Sequence, residues 1–207
     1  MFNKAEELIR LCNEKNKRIS EIVIEKEIKL NKTSYEDIMD RMRNVLQIMK
    51  ESSKVGLDKE IKSVSGLTGG DAKKLEDYRK STETISGDII ISAMAKAFST
   101  SEVNASMGKI VAAPTAGSSG IIPSALLTAK KKLNLSDEQV IMGLFTAAGI
   151  GEIVAKNATV SGAEGGCQAE CGTAAAMAAG AIVEMAGGSP EASFHAASFA
   201  IVNILGL

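Results

Sequence analysis

The sequence has no tryptophan, a single histidine, and aromatic residues at only 3% of its 207 positions. A core of this size therefore has to be built from Ala, Ile, Leu, Val and Met, which supply most of a 45% hydrophobic content. Small side chains let helices approach closely, so tight helix–helix packing is expected. Cysteine is scarce and odd in number, at three. No apolar leader is present, since Met1 is followed at once by Asn3, Lys4, Glu6 and Glu7. That combination argues against a disulfide framework, points to the cytoplasm, and leaves metal or redox chemistry as the better special role for the thiols. Charge of either sign is not in excess. A net charge of −1 gives no basic face for nucleic acid. The longest uncharged run, residues 110–129, is broken by Pro114, Gly117, Gly120 and Pro123 and makes a poor membrane span.

What charge there is lies at the front. Residues 1–80 carry 18 Lys/Arg and 15 Asp/Glu, against 6 and 10 in residues 81–207. The first 60 residues read as a charged helical region, and residues 61–207 as an apolar helical core continuous with it. Alternating, strand-like patterns are nearly absent, and the expected fold class is all-α. Residues 3–31 form one or two helices. Ser34-Tyr35-Glu36-Asp37 resembles a capping box for a helix that ends near Gly56. Asp71 is expected to cap a short helix over 72–81, and Ser86 to open one that stops around residues 99–101. Residues 109–113 are a short extended candidate. Ser136-Asp137-Glu138-Gln139 is a second capping box, before an apolar and therefore buried helix reaching about Lys156. A polar loop at 157–166 precedes an Ala-rich helix from Cys167 to Met185. Ser189-Pro190-Glu191 starts the last helix, which runs to about Leu205.

Three segments carry chemistry. In Ser161-Gly162-Ala163-Glu164-Gly165-Gly166-Cys167-Gln168-Ala169-Glu170-Cys171-Gly172, a cysteine follows glycines at a helix start, where the dipole favours a thiolate. The bland alternative is two small buried residues, and it is the stronger for Cys171. Pro114-Thr115-Ala116-Gly117-Ser118-Ser119-Gly120 opens a helix with free N–H groups and hydroxyls, an anion site that suits a carboxylate as well as a phosphate. It is not a Walker A loop, because no Gly-Lys-Ser/Thr follows. The alternative is an ordinary capped turn. The loop at 65–71, with Thr68, Gly69 and Gly70, reads first as a surface turn and second as another anion loop. His195 reads as a helix-face residue and Cys12 as inert.

Together these segments, with Asn104-Ala105-Ser106-Met107-Gly108-Lys109 and residues 157–190, resemble the α chain of bacterial iron–sulfur L-serine dehydratases. The run Ser-Gly-Ala-Glu-Gly-Gly-Cys-Gln-Ala-Glu at 161–170 is the most specific part. The resemblance implies a helical catalytic domain that eliminates water and then ammonia from L-serine. It implies a [4Fe–4S] cluster held by three cysteines with one iron open to substrate, a separate β chain, and a homo-oligomer. Cys167 matches the first cluster ligand, and Cys171 is a weaker candidate. The family's other two ligands lie in Cys-Asp-Pro and Pro-Cys segments that this sequence does not contain. Thr115, Gly117, Ser118, Ser119 and Gly120 become candidates for holding the substrate carboxylate, with Thr68, Gly69, Gly70, Asn157 and Ser161 as further substrate-binding candidates. Lys109 and Lys156 are candidates for the base. Two alternatives stand beside this reading. A pyridoxal-phosphate dehydratase would require strand–helix alternation, and a non-catalytic helical subunit would require no chemistry at all.

Overall fold

The computed structural model describes residues 2–205. Among them are nine α-helices and no strand, so the fold is all-α as expected. An isolated bridge between Lys62 and Gly69 is the only β-type pairing there, and the extended candidate at 109–113 finds no strand partner. The chain forms two compact units, residues 1–44 with 135–207, and residues 45–134.

The first unit contains α1 (Ala5–Lys15), α2 (Ile19–Asn31), the start of α3 (Tyr35–Asp58), α7 (Asp137–Asn157), α8 (Gly162–Met185) and α9 (Pro190–Val202). Helix α8 packs on both α7 and α9, α7 packs on α2, and α1 packs on α2 and α9. Small residues allow this. A side chain at Gly180 would collide with Ile150 of α7 and with the backbone of Ser193 in α9. The core is aliphatic, with Leu8, Ile19, Val140, Ile141, Ala174 and Ala181 almost wholly buried. At about 25 cal/mol per Å², burial of such side chains is the main stabilising term. By length and composition α7 could also cross a membrane, but its faces are taken by α2 and α8.

Local signals set several helix ends. Ser136 and Gln139 form the expected capping box at α7, and Ser34 and Asp37 bond reciprocally ahead of α3. Ser189 caps α9, with Pro190 in its first turn. The start of α2 is capped differently. The carboxylate of Glu184, at the far end of α8, accepts from Ile19 N at 3.0 Å and Ser20 N at 3.4 Å.

The second unit contains the rest of α3, α4 (Asp71–Ser81), α5 (Gly87–Ala105) and α6 (Ile121–Leu133). Helix α5 lies against both α4 and α6. Two expectations need correction here. Helix α5 does not stop at residues 99–101. The hydroxyls of Ser99 and Thr100 are buried rather than turned toward a cap: Ser99 Oγ donates to Ser52 O at 2.7 Å and accepts from Gly56 N at 2.9 Å, and Thr100 Oγ1 donates to Lys96 O. The helix ends instead at Ser106-Met107-Gly108, where Gly108 N returns to Val103 O at 2.8 Å. Nor does Asp71 cap α4. It is the first helical residue, and the buried Glu102 carboxylate of α5 accepts from Asp71 N at 2.6 Å and Ala72 N at 3.1 Å.

Candidate functional site

In the second unit, two Gly- and hydroxyl-rich segments converge on the C-terminal end of α5. The loop at 63–70 folds on itself through Ser63 N to Thr68 O at 2.9 Å and Thr68 N to Ser63 Oγ at 3.2 Å. It is tied to α5 by Val64 N to Ala105 O at 3.0 Å. Asn104 Nδ2 reaches the other loop, donating to Ala116 O at 3.2 Å. Glu102, two residues earlier, holds the helix that follows Gly70. Thr68 is exposed, whereas Gly70 is buried.

The loop at 114–120 leads straight into α6, whose first turn has no side-chain cap. Its hydroxyls form a local network: Thr115 Oγ1 and Ser118 Oγ are 3.1 Å apart, and Ser118 N donates to Thr115 Oγ1. Gly120 sits so close to α5 that an added Cβ would lie 2.6 Å from Ala97 O. That contact presses the loop onto the neighbouring helix. Ser118 and Ser119 are buried, and the Ser119 hydroxyl has no hydrogen-bond partner among the described residues. A buried unpaired hydroxyl is costly. It lies beside a helix start that has no side-chain cap, although Ile121 N and Ser124 N are bonded to Ser118 O and Gly120 O, and a hydroxyl so placed is able to donate to an oxyanion. Lys109, four residues before Ala113, is exposed and has no hydrogen bond or ion pair among the described residues.

In the first unit the other candidates cluster around the start of α8. Helical turns begin at Gly162, break at Gly166 (φ 76°, ψ 175°), and resume with Cys167. The expected helix start at Cys167 is thus the start of the second, longer segment. Gly162 allows the Glu170 carboxylate to fold back against the first turn, within 3.1–3.3 Å of where its Cβ would be. Cys167 and Cys171 are one turn apart on the same face, with their sulfurs 3.5 Å apart. The two Sγ atoms and a Glu170 oxygen all lie within 4.8 Å of one another. Cys167 is exposed and Cys171 half-buried. Burial, with the hydrogen bond from Cys167, pushes the Cys171 thiol up to about 11. Two thiols and a carboxylate in that space are a donor set for a thiophilic metal.

Cys12 is not part of this group. It is buried, and desolvation together with the charges of Glu184, Glu191 and Glu21 pushes it up to about 12. Glu184 lies 17 positions beyond Cys167 on α8, about 25 Å along the helix at 1.5 Å per residue. The remaining candidates have structural partners. Lys156 Nζ donates to Phe2 O at 2.9 Å and Asn3 Oδ1 at 3.1 Å and pairs with Glu152 at 2.6 Å. Asn157 Nδ2 donates to Asn3 O and Ile153 O. Ser161 is the N-cap of α8 by backbone, its carbonyl accepting from Glu164 N and Gly165 N. Sequence reasoning missed Glu102, Asn104 and Glu170 as positioning or donor groups. Asn104 lay inside a segment singled out for its resemblance, but nothing local marked its partner.

The chain is thus all-helical, with a hydroxyl-rich loop in one unit and a paired-thiol donor set in the other. The family model described as serine dehydratase alpha chain matches residues 14–207. The chain is 49% identical over its whole length to the L-serine dehydratase, alpha chain, of Peptoniphilus asaccharolyticus, covering 71% of that protein. It is 48% identical over its whole length to the probable L-serine dehydratase, alpha chain, of Bacillus subtilis strain 168, covering 69% of it. An L-serine dehydratase of Streptomyces coelicolor is 34% identical over 212 aligned positions, where this chain covers 45% of the longer protein. The chain belongs to the serine dehydratase alpha chain family.

Proposed function

We propose that this protein is the catalytic α chain of a cytoplasmic L-serine dehydratase that works with a β chain as a homo-oligomer of the pair and converts L-serine to pyruvate and ammonia. The observation that carries the reading is the Cys167–Cys171 pair at the head of a helix, in a chain of this family. Cys167 is this chain's ligand to a [4Fe–4S] cluster, and Cys171 stands behind it. Two thiolates are fewer than the three or four that hold such a cluster, and Cys12 is too remote to join them. The remaining ligands therefore come from outside these 207 residues. When bound, a cluster with one open iron supplies a Lewis acid for the departing hydroxyl.

The chain's own residues do the rest. The uncapped turn of α6, with the Ser119 and Thr115 hydroxyls, holds the substrate carboxylate and fixes the orientation of the α-carbon. Ser118 supports Thr115. Lys109, with an ammonium that has no partner among the described residues, is the better of the two lysine candidates for moving the α-proton, because Lys156 is committed to the N-terminal segment. Loss of the α-proton and of the β-hydroxyl as water leaves an aminoacrylate. This tautomerises to an imine, and a second water releases ammonia and pyruvate.

The test uses the α chain with its β chain, purified anaerobically. A brown colour bleached by air is expected, with serine-dependent pyruvate formation lost in parallel. Cys167→Ser should empty the protein of iron, whereas Cys12→Ser should leave iron content and turnover alone. Thr115→Val should lower kcat/KM by the cost of one charge-assisted hydrogen bond, about 1.5–3 kcal/mol. Full iron content in Cys167→Ser removes the ligand assignment, and unchanged kinetics in Thr115→Val removes the loop. Activity that survives air but is abolished by borohydride would favour a pyridoxal cofactor instead.

A further inference from the structure

The second unit has a pocket that plays no part in this reading. It lies between α5 and the C-terminal end of α6, holds about 270 Å³, and is lined by Asp88, Ile89, Ser92, Thr128, Lys131 and Lys132. Lys131 is ten residues along α6 from Ile121, so the pocket is about 15 Å from the carboxylate loop at 1.5 Å per residue.

Its charge balance is unusual. Lys96, half-buried on α5, donates from Nζ to Ser92 O, Ser92 Oγ and Thr128 Oγ1. All three are neutral. Among the described residues no carboxylate forms an ion pair with Lys96, and an ammonium in a partly desolvated site without a direct ion-pair partner is unfavourable. Burial pushes its pKa down, the neighbouring charges of Lys131 and Arg79 push the same way, and the more weakly felt carboxylates of Glu76 and Asp88 offset only part of this. The one acid lining the pocket, Asp88, is already paired with Arg79. Lys131 and Lys132 are exposed and form no ion pair among the described residues, although the charge of Lys131 is felt at Asp88. Cations at a helix C-terminus offset the macrodipole, which accounts for the two on α6 but not for Lys96 on α5. The hydroxyls are also arranged for donation. Ser92 Oγ and Thr128 Oγ1 each accept from Lys96, which leaves the proton of each hydroxyl free for another acceptor.

We propose that this pocket binds a small multivalent oxyanion, the phosphate or polycarboxylate group of a metabolite, through Lys131 and Lys132 with the Ser92 and Thr128 hydroxyls as donors, the Lys96 ammonium standing behind those two hydroxyls. Two or more negative charges match the two lining ammonium groups, with that of Lys96 behind them, better than one would, and the volume admits a phosphoryl or tricarboxylate group.

The test is thermal unfolding of the 207-residue chain at fixed ionic strength, with inorganic phosphate, or separately citrate, replacing chloride. A saturable rise in Tm with at least one of the two anions is expected. A response to phosphate alone assigns a phosphate-bearing ligand, and a response to citrate alone a polycarboxylate. In the double variant Lys131→Gln/Lys132→Gln, which alters only exposed side chains, the midpoint should move to at least about ten-fold higher anion concentration, about 1.4 kcal/mol of lost binding. Lys96→Met should abolish the response, and if that variant folds poorly the surface pair decides. No saturable rise with either anion overturns the proposal. So does a rise that is linear in concentration and the same in the variants, the general effect of an excluded anion. Because the readout is binding and not serine turnover, the result stands apart from the catalytic reading.

Discussion

Gly166→Ala isolates the backbone device that places Cys167. Gly166 holds φ 76° and ψ 175°, between a first turn at Gly162 and the long segment that begins at Cys167. That region is essentially closed to residues with a Cβ, and forcing one into it costs on the order of 1–3 kcal/mol. An added Cβ at this position would meet nothing within 4 Å, so no clash contributes and the cost is conformational. Alanine also restricts the unfolded chain, which returns about 0.4–1 kcal/mol. The net loss is then about 1–2 kcal/mol, or roughly 2–8 °C in Tm for a chain of this size. The alternative response is local: the turn at 162–165 rotates to relieve the strain, and Cys167 leaves its place opposite Cys171. Two assays cover both responses. Thermal unfolding measures the first. The alkylation rate of Cys167, in a background of Cys12→Ser and Cys171→Ser, measures the second. A variant with unchanged Tm and unchanged alkylation rate would refute the reasoning, since it would mean that Gly166 is under no conformational demand.

Three further outcomes are expected. Glu102→Ala leaves Asp71 N and Ala72 N without the acceptor they have at 2.6 and 3.1 Å, and urea unfolding should show a loss of about 2–4 kcal/mol, with Glu102→Gln losing less. Hydrogen bonds from Arg79 and Lys80 hold the buried Glu76 carboxyl down to about 2, so its contribution, up to about 3 kcal/mol, is complete above the unfolded value near 4.5 and is lost as pH falls through about 2. Stability measured between pH 5 and 2.5 should therefore fall less steeply in Glu76→Gln than in the parent. Alkylation of the native chain followed by mass spectrometry should modify Cys167 first, because it is exposed, and Cys12 last, because it is buried and raised to about 12; early modification of Cys12 would contradict its burial.

The parts of the fold legible in the sequence are those whose cause is local. The capping boxes at Ser34 and Ser136 and the Ser189-Pro190 start each join residues within one turn, so four letters suffice to read them. The same holds for Cys167 as a helix start, because Gly165-Gly166 marks the break. Local reading failed where the partner was distant. Asp71 looked like a cap, but Glu102, 31 positions away, does the capping. Ser99, Thr100 and Ser101 looked like a terminus, but Ser99 finds its acceptor 47 positions away, in α3. Hydroxyls signal a helix end only when their own backbone is the nearest partner. A buried neighbouring helix removes that condition, and no single-chain pattern announces it. At the candidate site the residue types were legible and their pairing was not. Lys156 and Lys109 look alike in sequence, yet one is held by Phe2, Asn3 and Glu152 and the other by nothing among the described residues.

The same physical device occurs once in each unit. Glu102 and Glu184 are both nearly buried carboxylates, each sits near the C-terminal end of its own helix, and each caps the start of a different helix through two backbone N–H groups. An acid near its own helix's C-terminus is unfavourable with respect to that helix's dipole. The arrangement persists because the carboxylate faces the positive end of the other helix, where charge-assisted bonds to free N–H groups outweigh the penalty. Each carboxylate also keeps one oxygen without a partner, Glu102 Oε2 and Glu184 Oε1, so neither cap is saturated. In the second unit the consequence reaches the candidate site. The end of α5 holds α4 through Glu102, the loop at 63–70 through Ala105 O, and the loop at 114–120 through Asn104. One helical turn therefore sets the register of both hydroxyl loops, and the geometry of the loop at 114–120, proposed above to hold the substrate carboxylate, depends on a side chain that need not touch substrate.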